Sequence, residues 1–272
     1  MDGDVTGLIA FALILLKALM VPVALVFLIS GLDDLFIDLC YAVISLRRRL
    51  RHGNRTRMID RDALFSTPEK PLAVMVPAWD ESAVIGAMLD NTLRSIEYQN
   101  MRIFVGTYPN DAATQSEVKK VRARSDRVEL VVCPHEGPTN KADCLNWIFQ
   151  GIRSYEQRHN VKFEIVVMED CEDVVHPLLF KLFNYVIPKR DMVQVPVLSL
   201  PPKWYDFTAG HYLDEFAQGH YKDMVVREIL DGSIPAAGVG CAFSRRALEA
   251  LSAFNHNELF SVDSLTEDYD IG

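Results

Sequence analysis

From Leu72 onward the chain alternates short runs rich in Val, Ile or Phe with longer stretches whose apolar residues recur every three or four positions. This alternation restricts the fold more than any other feature. A short β-branched or aromatic run suits a buried strand, and the three- and four-residue recurrence suits a helix with one apolar face. The pattern predicts strands over residues 72–76, 102–107, 128–132, 164–168 and 192–198. It predicts helices over 82–97, 112–124, 141–159, 177–186 and 214–230, and a further helix beginning near Arg246. Strands and helices in turn make an α/β domain with a mostly parallel sheet flanked by helices, whose ligands bind outside the carboxyl ends of the strands. The loops at residues 77–81, 108–111 and 169–173 are therefore the expected site.

Residues 8–30 are apolar except for Lys17, long enough for the roughly 20 residues that cross a bilayer core. Asp2 and Asp4 precede the run, where a cleaved signal peptide has basic residues, so a retained transmembrane helix is expected. Lys17 is expected to face a helix bundle or water. Arg47, Arg48, Arg49, Arg51, Arg55 and Arg57 follow with no acidic residue among them, which puts this end in the cytoplasm and the N-terminus outside. Residues 31–46 carry Asp33, Asp34 and Asp38 between short apolar runs; they suit a helix lying at the membrane interface, or one packing on other spans. The expected organisation is a transmembrane helix at 1–32, an interfacial helix and basic linker at 33–70, and a catalytic domain at 71–272.

A net charge of -9 argues against nucleic acid as the main partner, because phosphate neutralisation needs a basic face. Cys40, Cys133, Cys144, Cys171 and Cys241 are odd in number and lack metal-ligand spacing, which suits a reducing compartment rather than a disulfide framework.

Glu169, Asp170, Glu172 and Asp173 crowd the end of a buried-looking strand. Like charges so close repel unless a cation neutralises them, and hard oxygen ligands suit Mg²⁺ or Mn²⁺ bound to a diphosphate. The alternative is a solvated acidic turn that caps the next helix. Thr266, Glu267 and Asp268 form either a helix-capping pattern or a functional pair of acids. Lys141 stands early in a helix after a Gly-Pro loop, as an anion contact or an exposed lysine. Gly238 and Gly240 let backbone approach a bulky ligand, or mark a turn. Trp79 and Trp204 offer faces for sugar rings, whereas Trp147 lies on an apolar helix face and is expected in the core.

Taken together and in this order, the motifs resemble glycosyltransferase family 2, whose catalytic domain has the GT-A fold; the resemblance covers about residues 70 to 272. The run from Val76 through Pro77, Ala78, Trp79 and Asp80 to Glu81 resembles the opening nucleotide-contacting motif, which usually has Asn where this chain has Asp80. The resemblance implies donor contacts from Pro77, Ala78, Glu81, Asp111 and Lys141. It implies metal ligation by Asp170, Glu172 and Asp173, with Glu172 replacing the second Asp of an Asp-x-Asp motif. It further implies that Asp268 is the catalytic base, with Glu267 beside it, and that Gly240 and Cys241 border the acceptor.

The strings at residues 31–38, 104–111, 141–146 and 264–272 resemble the phage-adsorption type of inner-membrane transferase within that family. The implied activity is inverting transfer of a sugar, by preference N-acetylhexosamine, from a UDP-sugar to a surface or exopolysaccharide acceptor that phage use as a receptor. The implied location is the cytoplasmic face of a bacterial inner membrane, with an outer-membrane export partner. Polysaccharide-making members carry a Gln-x-x-Arg-Trp motif and further helices beyond the Thr-Glu-Asp motif, so this chain is expected to be the N-terminal part of a longer protein, inactive without the rest of its acceptor site. Two other readings are a nucleotidyltransferase, for which the glycine-rich phosphate loop near the first strand is missing, and a transferase-like membrane scaffold that no longer turns over.

Overall fold

In the computed structural model, which describes residues 2–52, 59–255, 258–263 and 271, the strand-forming runs assemble into one sheet. Its strands are β1 (Leu72–Pro77), β2 (Met101–Thr107), β3 (Val128–Val132), β4 (Ile165–Met168), β5 (Met192–Gln194) and β6 (Cys241–Ser244). Their order is β3-β2-β1-β4-β6-β5. Strands β1 to β4 pair in parallel, and β6 runs antiparallel to both β4 and β5. The order reverses between β1 and β4, the point where an open α/β sheet leaves a crevice at its carboxyl edge.

The helices are α1 (Asp2–His52), α2 (Arg61–Ser66), α3 (Ile85–Ser95), α4 (Ala112–Arg122), α5 (Lys141–His159), α6 (Leu179–Val186), α7 (Phe207–Gln218), α8 (Met224–Ile229) and α9 (Arg245–Phe254). A parallel sheet covered on both faces needs apolar residues on both, and Leu72, Ala73, Val74, Met75 and Val76 are all buried. Leu72, Val74 and Val76 face a core shared with Ile85 and Leu89 of α3, Val118 of α4 and Phe180 of α6. Ala73, Met75 and Val166 face the other core, with Leu145, Ile148 and Phe149 of α5 and Leu248 of α9. Helix α5 rides close to β2 because position 106 is glycine: a Cβ there would stand 2.6 Å from both Cys144 Sγ and Ile148.

Two largely buried ion pairs tie neighbouring elements together. Arg245 of α9 lies 2.8 Å from Glu156 of α5, with side chains 9% and 11% exposed, and Lys181 of α6 lies 2.7 Å from Glu69.

Several elements differ from the sequence expectation. Strand β5 stops at Gln194, and the stretch after it, with Pro196, Pro201 and Pro202, cannot donate a full ladder of hydrogen bonds. Strand β6 was not expected; it is four residues long and lacks β-branched side chains. Short α2, capped by the Asp60 side chain on Asp62 N–H, was not expected either. The helix expected at 214–230 is α7, a π-helical turn at Gly219–Asp223, and α8.

The chain divides into two compact units, Met1–Arg57 with Ala217–Gly232, and Met58–Phe216 with Ser233–Gly272. In the first, α1 is one continuous helix with Pro22 inside it, so the segment at 31–46 continues the apolar helix instead of forming a separate one. Ala10–Arg51 is long and apolar enough to cross a membrane, and large side chains along it, such as Phe11 and Phe27, are exposed. Within this unit Lys222 Nζ lies 2.7 Å from Asp38, and Val226 and His220 are buried.

Candidate active site

The loop after β1 is held by the start of α4. Asp80 has φ 59°, a left-handed conformation that Asn and Asp adopt more readily than other side chains. This turns its N–H onto Asp111 Oδ2 at 2.8 Å, while Asp111 Oδ1 accepts from Thr114 N–H at 3.1 Å and so caps α4. Glu81 N–H donates to Thr114 Oγ1 at 3.0 Å. Each Asp111 oxygen thus accepts a hydrogen bond within the protein and the residue is buried, so its side chain latches the loop to α4. The left-handed backbone also explains why Asp80 serves where the family pattern has Asn.

The acidic turn after β4 separates its four carboxylates into two environments. Glu169 is 3% exposed; its Oε2 accepts from Gly240 N–H at 3.3 Å, and its Oε1 meets no N–H or hydroxyl donor among the described residues. Burial, followed by the neighbouring Asp173 carboxylate, holds the Glu169 carboxyl well above the usual range. Asp173 turns inward: its Oδ2 accepts from Asp170 N–H at 2.7 Å, and burial raises its carboxyl too. Of the three expected metal ligands, Asp170 and Glu172 line the cleft and Asp173 braces the turn beneath them.

Lys141, the first residue of α5, reaches Asp170 at 2.6 Å, with the Gly238 carbonyl at 3.4 Å. Asn140 caps α5 by accepting from Asp143 N–H at 2.9 Å, which fixes where the lysine projects.

Opposite, Glu81, Cys171 and Glu172 offer ligand atoms that all lie within 4.8 Å of one another. Burial, and then Glu172 and the other nearby carboxylates, raise the Glu81 carboxyl. The cluster therefore carries more negative charge than Lys141 offsets, and a hard divalent cation fits its oxygen donors. Cys171 fits less well. Burial pushes its thiol up to about 12, and the Sγ donates to the Pro77 carbonyl at 2.8 Å.

Between these groups lies a cleft of about 300 Å³, lined also by Pro77, Ala78 and Trp79. The Trp79 and Tyr108 rings meet edge to face at 5.4 Å, and the Tyr108 hydroxyl bonds Thr139 at 2.6 Å. Asn110 holds Gly137 twice, accepting from its N–H at 2.9 Å and donating to its carbonyl at 2.7 Å. A side chain at Gly137 would strike both aromatic rings, which approach within 2.8 Å of a Cβ placed there.

Gly240 and Cys241 do not line this cleft. Gly240 has φ 58°, and its carbonyl and that of Val239 accept from the Gln194 amide, while Cys241 is fully buried at the start of β6. Thr266, Glu267 and Asp268 lie outside the described residues. The chain just before them is held at the cleft: Asn140 donates to the Val262 carbonyl at 2.6 Å, and Asn146 Oδ1 accepts from Leu259 and Phe260 N–H. Trp147 is 36% exposed, edge-on to His135, and so is not the core residue expected. Sequence alone assigned no role to Asn110, Thr139 or Asn146, whose partners Gly137, Tyr108 and Phe260 lie far away in the chain and leave no local signal.

Residues 68–272 match the family described as glycosyltransferase like family 2, and the chain belongs to that family. It is 46% identical over 257 residues to bacteriophage adsorption protein B of Escherichia coli K12, and equally to bacteriophage N4 adsorption protein B of Escherichia coli O157:H7. Each alignment covers 94% of this chain and 34% of the relative, so the chain spans about a third of their length. Among solved structures, the mannosyltransferase PcManGT from Pyrobaculum calidifontis, in complex with GDP-Man and Mn²⁺, is similar at a TM-score of 0.53 and 20% identity. That match covers 84% of this chain and 57% of the other, and it establishes the shared GT-A fold.

Proposed function

We propose that the chain is the donor-binding part of a membrane-anchored, metal-dependent inverting glycosyltransferase that takes its sugar from a UDP-sugar. The observation that carries this reading is the pairing of Lys141 with Asp170 beside the Glu81 and Glu172 carboxylates, in a cleft at the sheet's switch point. A cation facing a carboxylate cluster matches a diphosphate with its counter-ion. PcManGT, bound to GDP-Man and Mn²⁺ on the same fold, lends support. Glu81, Asp170 and Glu172 would hold Mg²⁺ or Mn²⁺, which when bound stabilises charge on the departing diphosphate.

The chain's own residues do the rest. Lys141 neutralises phosphate charge as the sugar–phosphate bond breaks and its electron pair leaves with the diphosphate. Asp268 takes the proton from an acceptor hydroxyl while that oxygen bonds the anomeric carbon from the opposite face, so the configuration inverts. Tethering of Val262 to Asn140, four residues before Thr266, supports placing that base at the cleft. Gly240 and Cys241 belong, in this reading, to the acceptor side, and Asp173 and Asp111 act by fixing the two loops. The acceptor is a growing surface or exopolysaccharide, and α1 anchors the catalytic domain at the cytoplasmic face of the inner membrane.

The test is sugar transfer from labelled UDP-N-acetylhexosamine in membranes containing the protein. Asp268→Asn is expected to abolish transfer while retaining UDP binding. Transfer at the wild-type rate in that variant contradicts the mechanism.

A further inference from the structure

An asparagine inside a helix is a poor helix former, because its amide competes for the backbone's own hydrogen bonds. Asn146, in the second turn of α5, has every part of its amide engaged elsewhere. Oδ1 accepts from Leu259 N–H at 2.9 Å and from Phe260 N–H at 3.0 Å, and Nδ2 donates to the Phe260 carbonyl at 2.9 Å. One side chain thus supplies three bonds to main chain that belongs to neither helix nor strand.

The Leu259 and Phe260 side chains are buried in the core that holds Leu145, Ile148 and Phe149 of α5. Apolar burial has no direction and does not fix register; hydrogen bonds of this geometry do. Asn140 adds a further bond, to the Val262 carbonyl at 2.6 Å. Ile271 packs against the same core. In sequence, Thr266, Glu267 and Asp268 therefore fall between two held positions.

The element that holds them is fixed as well. A Cβ at Gly106 would stand 2.6 Å from Cys144 Sγ and Ile148, and one at Gly151 would stand 2.6 Å from Val131, so α5 is pressed on the sheet at two places along its length. Lys141, which meets Asp170 at 2.6 Å, precedes Asn146 by five residues, about 7.5 Å along the axis. One rigid helix carries both the cation of the donor site and the tether of the chain that leads to Asp268.

We infer that Asn146 is a positioning residue, which registers residues 258–262 on α5 and so sets the separation between the divalent cation at the acidic turn and Asp268. This rests on the proposed reading of the donor site and of Asp268 as the base. Asn146 does not itself line the cleft. The separation matters because a reacting group misplaced by about 1 Å costs about 100-fold in rate.

The test measures that separation without turnover. The whole chain, with Cys40→Ala and a nitroxide on a cysteine introduced as Asp268→Cys, is loaded in detergent with UDP and Mn²⁺, and the Mn²⁺–nitroxide distance is read by pulsed electron resonance. Cys133, Cys144, Cys171 and Cys241 are buried, away from the label. One narrow distance is expected. Asn146→Ala is expected to broaden it and to speed amide exchange at Leu259 and Phe260, while affinity for UDP with Mn²⁺ stays within about twofold. Should Asn146→Ala not fold, Asn146→Asp, which loses the bond to the Phe260 carbonyl, is read in the same way. A distance as narrow in the variant as in its parent, or already broad in the parent, overturns the inference, as does unchanged amide exchange. UDP affinity that falls along with the broadening gives Asn146 to the donor site and overturns it too. If the folded parent binds no UDP with Mn²⁺, the donor-site reading fails and takes this one with it.

Discussion

Lys141 Nζ lies 2.6 Å from the Asp170 carboxylate, so the first residue of α5 and the leading acid of the β4 turn neutralise each other across the cleft. The pair sets opposite expectations for the two ligands. Lys141→Met removes positive charge from a cluster that already holds Glu81 and Glu172, so Mn²⁺ alone is expected to bind more tightly. Nucleotide binding is expected to weaken about tenfold, or about 1.4 kcal/mol. Titrating each ligand separately checks both signs, and parallel weakening of the two means that the lysine only shapes the turn.

Gly106→Ala tests how closely α5 rides on the sheet. The new methyl would lie 2.6 Å from Cys144 Sγ and Ile148, neither of which is the free end of an exposed side chain. A loss of about 1–3 kcal/mol in stability is expected, read from the denaturation midpoint. Because Cys144 also lines the cleft, UDP affinity is expected to fall in the same variant.

The Arg245–Glu156 pair joins α9 to α5 with both side chains nearly buried, and Glu156 also accepts from Phe163 N–H at 2.9 Å. Glu156→Ala removes the more buried of two partners and leaves the guanidinium with Glu249, 3.1 Å from Nε and 45% exposed. A loss of about 1–3 kcal/mol is expected, larger than that from an exposed pair. Glu156→Gln, which retains the hydrogen bond to Phe163, is expected to lose less.

A pH signature is expected at Glu69. Burial alone would raise this carboxyl, but the Lys181 ammonium at 2.7 Å and the Asn100 and Gln99 N–H groups outweigh it and hold it below the usual value. A depressed carboxyl contributes stability above its unfolded pKa and loses it as pH falls through the folded one. Glu69→Gln is therefore expected to be less stable than wild type at neutral pH, with the difference closing below about pH 4, near the unfolded value. Melting curves across that range check the crossover.

The fold was legible where local periodicity and burial agree. β3 and α5 have the boundaries expected from their apolar spacing, and β1 and β2 differ by a residue at one end. β6 was not, because four residues without β-branching are made a strand only by pairing with β4 and β5, which lie far away in sequence. Gly31 and the aspartates after it suggested a break, yet a glycine costs a helix only about 1 kcal/mol and α1 continues through it.

At the site, loops and carboxylates were readable but their directions were not. Asp111 immediately precedes the expected start of α4, which is the position of a capping residue, and the structure uses it as one. Asp173 sits beside two cleft-lining acids and turns inward because the Asp170 N–H three residues earlier in the chain needs an acceptor. Trp147 projects from the side of α5 away from Leu145, Ile148 and Ile152, so its apolar ring did not mark the buried face.

The central claim is that the cleft holds a nucleoside diphosphate together with a divalent cation. Calorimetric titration of UDP into the detergent-solubilised protein, with and without Mn²⁺ and repeated on Asp170→Ala, tests it most directly. The account predicts binding that requires Mn²⁺ and is lost in Asp170→Ala while the variant stays folded. Absence of UDP binding by folded wild-type protein in the presence of Mn²⁺, or equal binding by the variant, would contradict it.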